Sequence, residues 1–272
     1  MNIQTSDTKS SNVALQSVSS IASELFLDIE QIYHRRIEVP TGFTISAGSH
    51  AVNQQIDSMR GGELLVVAVR DKGVKEAFCL EVVQHVALRK SQSIAFYSIS
   101  ESYLRFTRKL IDELAQIPSD AGIYDGLLNE VELQRLASAL WKLSRSHIHI
   151  NPSRSVSIDQ ISEATQKQFQ MAGGVGLNLV DCVQKILGSN ARLEKPRDSL
   201  IRLKQLAAAL DIPVVAIYQL DPAGGNYSST LMPHELGEIG ALAQLSTRFM
   251  LLSGEPDNIV IAQPKILVQT KS

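Results

Sequence analysis

The runs "ELLVVAV", "SIAFYS", "HIHI", "VGLNLVD", "PVVAIYQ", "RFMLL" and "NIVIA" constrain this chain more than any other feature. Each is short and almost continuously apolar. A strand that is apolar on both sides needs cover on both sides. Between the first five of these runs lie segments with helical spacing: Lys75–Leu88, Ser102–Ala115, Leu128–Ser144, Ile158–Gln170 and Ser199–Leu210. Strands alternating with helices predict an α/β fold, a mainly parallel sheet covered by helices.

The length of 272 residues suits one large domain, and 44% hydrophobic residues can fill its core. Ahead of the alternating region, Val18, Ile21, Ala22, Leu25, Ile29 and Ile32 recur at helical spacing. They predict an amphipathic helix over residues 13–36, stopped before Pro40 and Gly42. The pattern leaves open whether that helix packs on its own domain or reaches a neighbouring subunit. Residues 1–12, "MNIQTSDTKSSN", are polar and read as a disordered tail with no apolar signal core. Residues 37–272 read as the α/β domain.

Several function classes recede on composition. A net charge of −2 gives no global signal for nucleic acid, although a local patch remains open. No apolar run approaches the ~20 residues that span a bilayer, so no membrane partner is expected. Cys79 and Cys182 sit in apolar runs without ligand spacing and read as buried, reduced thiols of a cytoplasmic protein. His147 and His149 share one strand face, but no third ligand is near in sequence. "AGGVG" (172–176) precedes a strand instead of following one, so it reads as a turn and not as a dinucleotide fingerprint.

The order of the elements, with the phrases "VPTGF", "GGELLVVAVR", "SLIRLKQLAAALDIPVVAIYQL" and "ELGEIGALAQ", resembles the C-terminal ATPase domain of DnaB-type replicative DNA helicases. The resemblance runs from about Ile21 to Val268. It implies a RecA-like P-loop NTPase fold and a leading helix like the family's linker helix, which docks on the adjacent subunit of a ring. The family's N-terminal helical domain has no counterpart in these residues.

The resemblance places an ATP site on "VRDKGVKEAF", between the first core strand and its helix. A P-loop works because backbone N–H groups at a helix start converge on phosphate, with a lysine on the β/γ-phosphates and a hydroxyl on Mg²⁺. Arg70, Gly73 and Lys75 fit that loop. Val74 stands where the family has glycine, and a β-branched residue tolerates φ > 0 poorly. Glu76 stands where the family has Ser or Thr. A carboxylate ~4 Å from a phosphate oxygen is opposed by roughly 4 kcal/mol at an effective dielectric near 20. Glu76 therefore reads as a built-in anion in the phosphate seat, favoured there by the helix dipole.

The other site positions follow the same resemblance. Ser100 falls where the family's glutamate activates water, with Glu101 next to it, and adjacent strand residues face opposite sides. Asp181 matches the aspartate that holds Mg²⁺ through water; Gln184 and the sensor glutamine Gln219 also match. The family's Lys-x-Arg pair becomes Gln263, Pro264 and Lys265, with Lys265 at the arginine-finger position, where lysine is no equal. In the first channel loop, Lys185, Arg192, Lys195 and Arg197 are candidate contacts to single-stranded DNA. The second, "LDPAGGNYSSTLMPHE", has no Lys or Arg.

Together these residues predict a helicase paralogue of replication or mobile-element biology. Its ATP site is impaired, and it acts mainly by protein or DNA binding, as a homo-oligomer or in company with a replicative helicase. The competing expectation is an active DNA-stimulated ATPase with an atypical loop that binds ATP and Mg²⁺.

Overall fold

The computed structural model describes residues 15–22, 49–117, 128–171, 174–188, 192–220, 233–252 and 259–262. They contain strands β1 (Gln16–Ser17), β2 (Leu64–Val69), β3 (Ile94–Ser98), β4 (Ile148–Ile150), β5 (Leu177–Asp181), β6 (Val214–Gln219), β7 (Arg248–Leu252) and β8 (Ile259–Ala262). All eight lie in one sheet, in the order β1-β4-β3-β5-β6-β2-β7-β8. The six central strands pair in parallel. β1 and β8 pair antiparallel at the two edges.

The helices are α1 (Ser49–Asp57), α2 (Lys72–Gln84), α3 (Tyr103–Ala115), α4 (Glu130–Ser144), α5 (Ile158–Gln170), α6 (Pro196–Leu210) and α7 (Pro233–Leu245). Every residue of β2, β3 and β5 is buried. Side chains alternate across a strand, so each strand feeds two cores. Leu65, Val67 and Val69 of β2 pack with Val82 and Val83 of α2, Leu110 of α3 and Leu140 of α4. Leu64, Val66 and Ala68 pack with Ile161 of α5, Leu203 and Ala207 of α6, and Leu242 of α7. The result is a helix–sheet–helix sandwich, as the apolar runs predicted.

Local chemistry explains the helix starts. Asn129 and Ser157 each close a capping box, with Glu132 and Gln160 as reciprocal partners, and so open α4 and α5. Pro196 sits in the first turn of α6, where a missing N–H is harmless, and moves its start ahead of the expected Ser199. α2 begins at Lys72, ahead of the expected Lys75, and runs into a π-helical turn, His85–Arg89.

Near the N-terminus one finding corrects the sequence reading and another bears on a question it left open. Gln16–Ser17 form an edge strand on β4, not part of a helix, and the helical turn begins at Val18. Val18, Ile21 and Ala22 are buried in the core of their own domain. The rest of the helix expected to residue 36 lies outside the described residues. α1 was not expected, because only Val52 and Ile56, one helical turn apart, mark its buried side.

Candidate functional site

The C-terminal ends of β2, β3, β5 and β6 lie side by side, with Val69 level with Gln219 and Ser98 level with Asp181. Ligands of open α/β sheets bind at this end of the strands. The chain leaves β2 through half-buried Arg70 and turns at Asp71, the N-cap of α2. The Asp71 carboxylate accepts the Val74 N–H at 2.9 Å, and the Asp71 carbonyl accepts the Lys75 N–H at 3.0 Å. A Cβ added to Gly73 would stand 3.0 Å from Asp71 Oδ1. Glycine there lets the carboxylate fold back over the first turn.

Val74 is helical and packs on the core beneath. The φ > 0 strain expected of it does not arise: among the described residues, Ser91, Gln116 and Asp211 are the non-glycines with positive φ.

Lys75 is 4% exposed. Its Nζ lies 3.0 Å from Asp181 Oδ1 and 3.3 Å from Oδ2. Oδ1 has the ammonium as ion-pair partner but no aligned hydrogen bond. Lys75 also donates to Ser100 Oγ, which donates in turn to Asp181 Oδ2. Residues 25 and 106 positions from Lys75 thus close on it from the turn after β3 and from the end of β5.

Glu76 corrects the sequence reading. Its carboxylate pairs sideways with Lys109 on α3 and does not cap the helix. The anion at the start of α2 is Asp71. Lys109 also lies 3.5 Å from Glu101, which holds Arg105 at 2.9 Å. Burial pushes the Glu101 carboxyl up, against the pull of Arg105, Lys75 and Lys72. Burial pulls the Lys109 ammonium down, and Lys72 adds to it. Burial also lifts Asp112 on α3 to about 6, despite Arg108 and Lys109.

Ser100 and Glu101 lie beyond the end of β3, so strand alternation does not govern them. Ser98 Oγ donates to the Glu101 carbonyl at 3.0 Å, and this turn sends Ser100 to Lys75 and Glu101 towards α3. Gln184 clasps Gln219: its Nε2 donates to the Gln219 carbonyl at 2.5 Å, and its Oε1 accepts the Gln219 N–H at 3.2 Å. Cys182 Sγ donates to the same Oε1 at 2.9 Å, and burial, with Asp181 beside it, pushes that thiol up.

Lys185, Arg192, Lys195 and Arg197 are all exposed, on the connection from β5 to α6. Residues 221–232 of the second channel loop, and Gln263, Pro264 and Lys265, lie outside the described residues. His149 bonds Gln168 at 3.0 Å, and burial, with His147 beside it, lowers its pKa. Among the described residues no three His, Cys, Asp or Glu gather to hold a metal. Gly174 has φ +59°, the turn read in "AGGVG".

Sequence reasoning missed Asp71, Lys109 and Arg105. The signal for Asp71 was present: an aspartate directly before a helical run is a preferred N-cap.

Residues 44–253 match the family described as the DnaB-like helicase C terminal domain. The chain belongs to that family. Within it, the DnaB-like domain is 27% identical over 218 residues to the replicative DNA helicase DnaC of Bacillus subtilis, and equally to DnaB of Geobacillus stearothermophilus. Each match covers 76% of this chain and 45% of the relative, so the chain spans about half the length of the curated relatives it matches. Among solved structures, the ATPase domain of G40P aligns with TM-score 0.66 at 18% identity, covering 89% of this chain and 90% of that one. A DnaB-like replicative helicase, studied with primase, aligns at 0.62 and 20%, covering 91% and 62%. The fold of the DnaB-like domain is RecA-like.

Proposed function

We propose that this DnaB-like domain belongs to a helicase paralogue of DNA replication or mobile-element biology whose ATP site is closed and which acts by binding protein or DNA. The observation that carries the reading is the state of Lys75, buried and committed to Asp181 and Ser100. The neighbouring groups do not fit Mg-ATP as they stand. No hydroxyl follows Lys75, Glu76 is tied to α3, and the Val74 N–H is taken by Asp71. Asp181, the expected Mg²⁺ partner through water, already holds a lysine and a serine. Titration calorimetry of the purified chain with Mg-ATP tests this: no heat is expected, and micromolar binding would refute the closed site.

The binding role rests on the exposed quartet Lys185, Arg192, Lys195 and Arg197. Single-stranded DNA is the fitting ligand, and a homo-oligomer or a mixed assembly with a replicative helicase, in the cytoplasm, is the fitting setting. Each phosphate neutralised adds about −0.7 to the slope of log K against log salt. Changing the four to alanine is expected to flatten that slope. A slope near zero in the unaltered chain removes the DNA role.

A second reading, an active ATPase, is favoured by Glu101. Burial pushes its half-buried carboxyl up, against the pull of Arg105, Lys75 and Lys72, as suits a group that accepts a proton. Phosphate release stimulated by single-stranded DNA, and abolished by Glu101→Gln, would establish it.

A further inference from the structure

We infer that Asp71 is the specificity-determining residue of this site: its carboxylate occupies the anion seat of α2 and excludes polyphosphate. The inference rests on the closed-site reading and names the group that does the closing. A helix start attracts anions through its unpaired N–H groups and its dipole. In α2 that seat is filled from within the chain. The Asp71 carboxylate holds the Val74 N–H at 2.9 Å, and Gly73 admits it so closely that a single added Cβ would come within 3.0 Å of Oδ1. A phosphate reaching the Val74 N–H must displace a like charge tethered three residues away.

The two substitutions most visible in the sequence are not what fills the seat. Val74 is unstrained and turned to the core, and Glu76 is turned to Lys109. Lys75, buried beside the seat, faces Asp181 instead. Restoring a glycine at 74 and a hydroxyl at 76 therefore leaves the internal anion in place.

Asparagine separates charge from structure. It caps a helix about as well as aspartate, through the same kind of oxygen, but carries no charge. Two like charges ~4 Å apart at an effective dielectric near 20 oppose binding by up to roughly a thousandfold, and solvent screening leaves about tenfold or more.

The test is calorimetric titration with Mg-ATP of four full chains: unaltered, Asp71→Asn, Val74→Gly/Glu76→Thr, and the triple variant. Melting temperatures run alongside to certify folding. The triple variant is expected to bind at least ~tenfold more tightly than the double, with melting unchanged by Asp71→Asn. Equal binding by double and triple variants overturns the inference, and so does a folded triple variant that gives no heat. Binding by the unaltered chain overturns the closed-site reading instead. In that case a tighter Asp71→Asn still supports the role of Asp71, and an equal one refutes it.

Discussion

Removing one member of the Lys75–Asp181 pair should destabilise the fold far more than removing both. The charges stand 3.0 Å apart, and each side chain is 4% exposed. At an effective dielectric near 20 their attraction is about 5 kcal/mol, most of which offsets the loss of hydration on burial. Lys75→Met strands the aspartate, and Asp181→Asn strands the ammonium. Each is expected to cost about 3–5 kcal/mol, the usual penalty for an uncompensated buried charge. The double variant keeps the shapes, and Ser100 can still donate to the amide oxygen that takes the place of the carboxylate. It should return to within about 2 kcal/mol of the unaltered chain. Urea unfolding of the four proteins gives the coupling energy directly. A coupling below about 1 kcal/mol, the scale of an exposed ion pair, would refute the reasoning. Lys75 would then be solvated in the native state and available to a phosphate.

Other perturbations test neighbouring parts of the site. Asp112, lifted by burial from 3.8 to about 6, favours folding in its neutral form. Its contribution is whole below about pH 4 and is lost as pH rises through 6, by up to about 3 kcal/mol. The stability difference between the unaltered chain and Asp112→Asn should follow that course in urea midpoints from pH 4 to 7, and a flat difference would sink the assignment. Gln184→Ala leaves the Gln219 carbonyl and N–H without their partners and should lower stability by about 1–3 kcal/mol; melting within about 1 °C of the parent would contradict the clasp. Ser157→Ala removes the capping box of α5 and should cost about 1 kcal/mol by denaturant titration; no change would mean that the cap is replaced by solvent.

The centre of the sheet was legible because β2, β3 and β5 are buried on both faces and therefore read as unbroken apolar runs, whereas β1, with Gln16 exposed, gave no such signal. α5 was legible from end to end: the expected Ile158–Gln170 are the observed bounds, and Ser157 and Gln160 fix its start. α1 was hidden by polarity, since Val52 and Ile56 alone among its described side chains are buried and leave almost no periodic signal. α7 was seen only as a family phrase, and Gly237 and Gly240 dilute its helical character. Within the site, Lys75, Ser100 and Asp181 are far apart in sequence, and resemblance alone brought them together. Where Glu76 points was not legible at all. A side chain in the first helical turn can lie along the axis or across it, and Lys109, on a different helix, decides that here.

The antiparallel edge strands have a mechanical meaning. β1 and β8 close opposite borders of the sheet, seven inter-strand steps apart. At about 4.8 Å per step, that is roughly 34 Å. Gln16 and Ala262 therefore stand at opposite borders of the sheet. A tension drawn between them runs across the strands and not along them. Such a load opens ladder hydrogen bonds one after another, like a zip, and meets least resistance at the two-residue β1. The Lys75–Asp181 end of the sheet, set on the central strands between these borders, would be the last to open.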